Sequence, residues 1–144
     1  LVASMFEKIK AFFKKIGKPP VRKIMIVDHD IDVTEMTQMI LEQTGAYEVT
    51  VSHNGYEALK LARENPPDLI LLDIMMPRMD GAEMARRLRE DPQLATVPVI
   101  FLTSLMTGQE AAQDSVVGGY PFISKPIRGE ELLARIQEFF ELED

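Results

Sequence analysis

Four polar clusters close apolar runs in this sequence: Asp28-His29-Asp30, Asp73, Thr103-Ser104 and Lys125-Pro126. Brought together, they would supply two or three carboxylates, a hydroxyl and an ammonium. Clustered carboxylates repel one another, and a hard, oxygen-seeking cation such as Mg²⁺ is the usual remedy. A carboxylate beside Mg²⁺ and a lysine is suited to attack phosphorus, because both cations neutralise charge on the phosphoryl oxygens. Any one of these residues alone is as well explained as a helix cap, a turn former or a surface charge. The argument rests on their joint position at the ends of apolar runs.

The elements between them decide whether they can meet. Asp68-Leu-Ile-Leu-Leu-Asp73 reads as a strand buried on both faces, with Asp73 at its carboxyl end and Pro77 and Asp80-Gly81 forcing a loop and turn after it. Ile24–Val27, Tyr47–Val51, Val97–Leu102 and Tyr120–Ile123 are the other predicted strands. Helices are expected from Val33 to a stop at Gly45, over Tyr56–Glu64 and Glu83–Glu90, more weakly over Gln109–Val117, and over Glu130–Glu141. Five strands alternating with five helices through short turns predict a doubly wound parallel sheet. Such a sheet gathers the carboxyl ends of its strands, and so all four clusters, along one edge.

Ahead of that body, residues 1–20 place Met5, Phe6, Ile9, Phe12, Phe13 and Ile16 on one helical stripe with lysines around it. Gly17-Lys-Pro-Pro20 then stops the helix. Five lysines against Glu7 give this segment +4, while the remainder holds 11 basic and 22 acidic side chains. The basic amphipathic helix is expected either to pack on its own domain or on a second copy, or to bind an anionic membrane surface.

Composition narrows the functions available. The chain has 144 residues, 46% of them hydrophobic, enough for one domain with a real core. With no cysteine there is no thiol nucleophile, disulfide framework or thiolate zinc site, and two histidines make a multi-histidine metal site implausible. The acidic body argues against nucleic-acid binding. No apolar run approaches the ~20 residues that span a bilayer. A cytoplasmic protein is expected. Because only Leu142, Glu143 and Asp144 follow the last predicted helix, a single-domain protein without an output domain is expected too.

The pattern as a whole resembles the receiver domain of two-component response regulators, over residues 21–142. The motifs that carry the resemblance are Asp68-Leu-Ile-Leu-Leu-Asp-Ile-Met-Met-Pro-Arg-Met-Asp-Gly81, Leu102-Thr-Ser104 and Phe122-Ile-Ser-Lys-Pro126. The resemblance implies a flavodoxin-like fold. It makes Asp73 the phosphoacceptor for a histidine kinase or a histidine phosphotransfer protein. Mg²⁺ or Mn²⁺ would be held by Asp28, Asp73 and the Met75 backbone carbonyl. Thr103 would be the switch hydroxyl, Lys125 the partner of the phosphoryl oxygens, and Phe122 the aromatic rotamer switch, with a cis peptide before Pro126. A downstream protein target would read the switch. The protein would be a phosphoacceptor with slow self-dephosphorylation and not a conventional enzyme. Met75 and Leu105 occupy the positions that flank the phosphoryl group and tune its lifetime. Both are large and apolar, so a long-lived phosphorylated form is expected.

One position departs from the family pattern. Two adjacent acids are expected after the first strand, and the sequence has Asp28-His29 instead, with Asp30 one place later. Either Asp30 swings in as the missing ligand, or His29 takes its place and weakens Mg²⁺, since imidazole suits softer ions such as Mn²⁺ or Zn²⁺. His29 is also the feature that favours a pseudo-receiver, a phosphorylation-independent protein-binding module of the same fold. Two enzymes of similar architecture fit poorly. A flavin carrier needs a Ser/Thr/Gly-rich phosphate loop where Asp28-His-Asp-Ile-Asp32 stands. A haloacid-dehalogenase-like phosphatase needs an acid where Met75 stands. His53 is read as a surface loop residue.

Overall fold

A computed structural model describes residues 2–17, 20–104, 116–117 and 119–143. Among them the order of elements is α1 (Val2–Ile16), β1 (Arg22–Val27), α2 (Ile31–Glu42), β2 (Tyr47–Ser52), α3 (Gly55–Glu64), β3 (Leu69–Asp73), α4 (Gly81–Glu90), β4 (Val99–Thr103), β5 (Val116–Val117), β6 (Tyr120–Ser124) and α5 (Gly129–Glu143). The sheet runs β2-β1-β3-β4-β6-β5. Five of its strands are parallel, as the alternating pattern predicts.

The central strands are unbroken apolar runs because both faces of the sheet are covered. Met25, Val27, Ile70, Leu72, Val99 and Phe101 point to one side, where Ala58, Leu59, Met84 and Leu88 of α3 and α4 meet them. Ile24, Ile26, Leu69, Leu71, Ile100 and Leu102 point to the other, against Leu41 of α2 and Leu132, Ile136 and Phe140 of α5. The strand order reverses at β1, whose neighbours are β2 on one side and β3 on the other. At such a switch point consecutive connections diverge to opposite faces and leave a crevice at the carboxyl ends of the two strands.

Local capping fixes where the helices begin. Asp30 accepts from the N–H groups of Asp32 and Val33, Asn54 from Glu57, and Asp80 from Glu83. Each satisfies a backbone donor that the first helical turn leaves without a partner. The cap at Asp80 starts α4 at Gly81, two residues before the amphipathic pattern indicates. Strand β4 starts at Val99, later than the predicted Val97, because Val97 N–H turns back to Leu94 O and Pro98 has no N–H to give the ladder.

The helix expected over Gln109–Val117 requires a correction at its end. Val116 and Val117 form a short strand antiparallel to β6, opposite Pro121 and Tyr120. β-Branched residues favour extended backbone, and Gly119, at φ 88°, turns the chain back into β6. The rest of that predicted helix, residues 109–115, lies outside the described residues.

Helix α1 folds back on the body. Met5, Phe6 and Ile9 line a cavity of about 200 Å³ together with Thr44, Ala46 and Tyr47 near the start of β2 and Leu133 and Gln137 of α5. This is the end of the sheet away from the clustered polar residues. Phe12 and Ile16 remain more than half exposed. No helix among the described residues is long and apolar enough to cross a membrane.

Candidate functional site

The crevice between β1 and β3 collects the four polar clusters. Asp73 is the last residue of β3, paired with Leu102, and its side chain is buried at 2% exposure. Its Oδ1 accepts the Met75 N–H at 3.1 Å, and His29 Nδ1 stands 3.0 Å from its Oδ2. Asp28 follows β1 and is fully buried. Its N–H donates to Ser52 O, and its Oδ1 accepts the Asp30 N–H at 2.9 Å. Lys125 reaches both acids, with Nζ 2.6 Å from Asp28 Oδ2 and 3.5 Å from Asp73 Oδ1. Thr103 closes β4, buried, in register with Ser124, and its carbonyl accepts the Lys125 N–H at 2.8 Å. The Lys125–Pro126 peptide is cis.

Burial dominates the electrostatics. It pushes the Asp73 carboxyl up from its ordinary value, and the neighbouring Asp28 pushes the same way. Lys125, the Met75 N–H and His29 pull it back down. Two desolvated carboxylates with one ammonium between them are under-compensated. Asp28 Oδ2, although beside Lys125, makes no hydrogen bond of acceptable geometry. A divalent cation at the mouth of the crevice suits this donor set, for it would offset the excess negative charge and engage the carboxylate oxygen that lacks a hydrogen bond.

The two alternatives for the missing acid separate clearly. Asp30 is turned away, its Oδ1 held by the first turn of α2, whereas His29 joins Asp28 and Asp73 in a group whose donor atoms all lie within 4.8 Å of one another. Met75, two residues past Asp73, is 56% exposed. Phe122 is buried in the core below the site, and its carbonyl accepts from Arg135 Nη2. Leu105 lies outside the described residues. His53, exposed, has its Nε2 3.1 Å from Thr34 Oγ1.

The motif reading did not single out the closeness of Gly81 to the site. A Cβ there would collide with Asp73 O and sit 2.8 Å from Ile74 Cα. Gly81 N–H donates to Ile74 O at 2.9 Å, which folds the loop tightly against the end of β3. Within that loop Arg78 holds φ 68°, a strained value for a non-glycine residue, in a turn closed by Met79 N–H to Pro77 O. The buried Met79 side chain anchors the loop against Gly55, where a Cβ would come within 2.7 Å of its sulfur.

A doubly wound parallel sheet with a buried aspartate at its switch point, a second acid, a hydroxyl and a lysine along one edge is the architecture of a receiver-type domain. The model of the response regulator receiver domain matches residues 24–137, and the chain belongs to that family of two-component signalling proteins. It is 36% identical over 115 residues to the DNA-binding dual master transcriptional regulator RpaA of Synechocystis, covering 80% of this chain and 47% of that one. The chain thus spans about half the length of the curated relatives it matches. A solved response regulator from Desulfuromonas acetoxidans superposes with a TM-score of 0.72 at 32% identity, over 84% of this chain and 98% of that one. The receiver domain of a sensor histidine kinase from Pseudomonas aeruginosa has a magnesium ion coordinated in its active site cleft. It superposes with a TM-score of 0.69 at 26% identity, over 83% of this chain and 97% of that one.

Proposed function

We propose that this chain is a receiver that accepts a phosphoryl group on Asp73 from a phosphohistidine of a histidine kinase or a histidine phosphotransfer protein, and that the change switches its binding to a downstream protein. An Asp73 carboxylate oxygen attacks phosphorus, the bond from phosphorus to the donor imidazole nitrogen breaks, and that nitrogen keeps the electron pair. Lys125, 3.5 Å from Asp73 Oδ1, is placed to neutralise the transferred oxygens. Asp28, Asp73 and the Met75 carbonyl would hold a divalent ion that adds further charge neutralisation. Thr103, at the neighbouring strand end, is the hydroxyl that would move towards the phosphoryl group, and Phe122 the aromatic ring that would follow. Slow hydrolysis then returns inorganic phosphate and the free carboxylate. The protein would act in the cytoplasm as a phosphoacceptor, not as a conventional enzyme.

The observation that carries this reading is the placement of Lys125 between the two buried acids at the switch point. Output through a protein partner is favoured by the charge of the body, which repels nucleic acid. The boundary near residue 20 then separates a basic helical segment from the receiver proper, residues 21–144. A second reading, the phosphorylation-independent binding module, is favoured by His29, whose ring lies 3.0 Å from one Asp73 carboxylate oxygen and partly covers that group. Incubation with acetyl phosphate and a divalent ion, followed by intact-mass measurement, separates the two. The native chain should gain one phosphoryl group and Asp73→Asn none. An unmodified native chain would make the pseudo-receiver the better account.

A further inference from the structure

The residue that departs from the family pattern is far more exposed than the two carboxylates beside it. The His29 side chain is 48% exposed, with Nδ1 3.0 Å from Asp73 Oδ2 and 3.8 Å from Asp28 Oδ1. Asp30 cannot make up the lost carboxylate while its Oδ1 caps α2. The fully buried Asp28 carries its Oδ2 2.6 Å from the Lys125 ammonium without a hydrogen bond of acceptable geometry, and its Oδ1 faces His29. The donors converging here are therefore two carboxylates and one imidazole nitrogen.

We propose that the crevice selects a divalent first-row transition ion over Mg²⁺, with His29 Nδ1 as a direct ligand beside oxygens of Asp28 and Asp73. Mg²⁺ binds through charge and demands oxygen donors, so exchanging a carboxylate for a neutral ring removes both a negative charge and a suitable donor. Imidazole is a good donor to the first-row ions from Fe²⁺ to Zn²⁺, and Mn²⁺, although the weakest of that series, accepts its nitrogen more readily than Mg²⁺ does. Coordination at Nδ1 requires the ring proton on Nε2. Because the ring is half exposed, that nitrogen can give its hydrogen to water. The proposal rests on the receiver reading of this site but concerns only which ion it takes.

The test is calorimetric titration of the full chain with Mg²⁺ and Mn²⁺ alone, together with spin-echo spectroscopy of the Mn²⁺-loaded protein for nitrogen coupling. Mn²⁺ should bind at least about tenfold more tightly than Mg²⁺, and the echo should show a directly coordinated imidazole nitrogen. His29→Asp should abolish that nitrogen signal and tighten Mg²⁺ about tenfold. Asp30→Ser, which keeps a capping oxygen but removes the carboxylate, should change neither. The proposal is overturned by equal Mg²⁺ affinity in the native and His29→Asp chains, by Mn²⁺ bound without nitrogen coupling, or by an Asp30→Ser effect as large as that of His29→Asp. Phosphorylation is read separately by mass. A chain that holds Mn²⁺ through His29 yet takes no phosphoryl group upholds this inference and overturns the receiver reading.

Discussion

Lys125 stands closer to Asp28 than to Asp73, 2.6 Å against 3.5 Å, so its ammonium is tied first to the acid that would not carry the phosphoryl group. Asp28 thus aims the lysine across the crevice. Removing the ammonium leaves two buried carboxylates facing each other. Lys125→Met should destabilise the protein by about 3 kcal/mol at neutral pH, and Asp28→Asn in the same chain should recover much of that loss. Urea unfolding of the single and double variants checks it. A double variant no more stable than Lys125→Met alone would show that charge is not the reason.

Asp73 gives a pH dependence of defined sign. Burial and Asp28 raise its carboxyl in the folded protein, so folding favours the protonated form. Its contribution to stability is therefore present at acid pH and is lost as pH rises through the raised value. Asp73→Asn should accordingly be the more stable protein at neutral pH. The advantage should shrink in acid, where native Asp73 is protonated. Thermal melts at several pH values measure it, and a gain that persists unchanged in acid would contradict the account.

Two glycines should respond oppositely to alanine. At Gly81 a methyl group would collide with Asp73 O and Ile74 Cα, backbone atoms that cannot turn aside. Gly81→Ala should cost about 3 kcal/mol and impair phosphorylation of Asp73. At Gly129, the first residue of α5, a Cβ would meet only Ile40 at 3.5 Å, an ordinary contact. Gly129→Ala should leave phosphorylation intact and add up to about 0.5 kcal/mol by favouring helix. Denaturant midpoints and acetyl-phosphate labelling of both variants provide the comparison.

The lifetime of the phosphorylated form should depend on what can hold a water opposite the aspartyl oxygen. The Met75 side chain stands exposed beside the site and offers no hydrogen bond to such a water. The family pattern assigns the second flank to Leu105, also apolar, and on that assignment slow hydrolysis is expected. Met75→Asn with Leu105→Glu should shorten the lifetime about tenfold, equivalent to ~1.4 kcal/mol in the barrier. Phosphate release from the purified phosphoproteins decides it, and equal decay rates would remove the argument.

Helix α1 should act by packing. Phe6 and Ile9 are half-buried against the body, so deleting residues 1–18 should lower stability by roughly 1–2 kcal/mol. The full chain should stay in the supernatant with anionic vesicles at low salt. Salt-reversible sedimentation with those vesicles, together with unchanged stability after deletion, would assign the lysines around α1 to a membrane surface instead.

The sequence alone determined the alternation of strands and helices, because a buried parallel strand and an amphipathic helix write different periods into the chain. It also placed Asp28, Asp73, Thr103 and Lys125 at strand ends, since an apolar run has to stop where its covered sheet stops. Local signals did not decide among competing uses of a single side chain. Asp30 was legible both as a ligand and as a helix cap, and only the direction of the chain after β1 shows the carboxylate turned to α2 and the His29 ring turned to Asp73. The strand at Val116–Val117 was hidden for a related reason. Two residues carry no period, and their extended backbone is fixed by pairing with Tyr120 and Pro121 across the turn. The clearance at Gly81 likewise depends on how closely two backbone segments pass, a distance set by the packing of the whole loop and not by the residues on either side of the glycine.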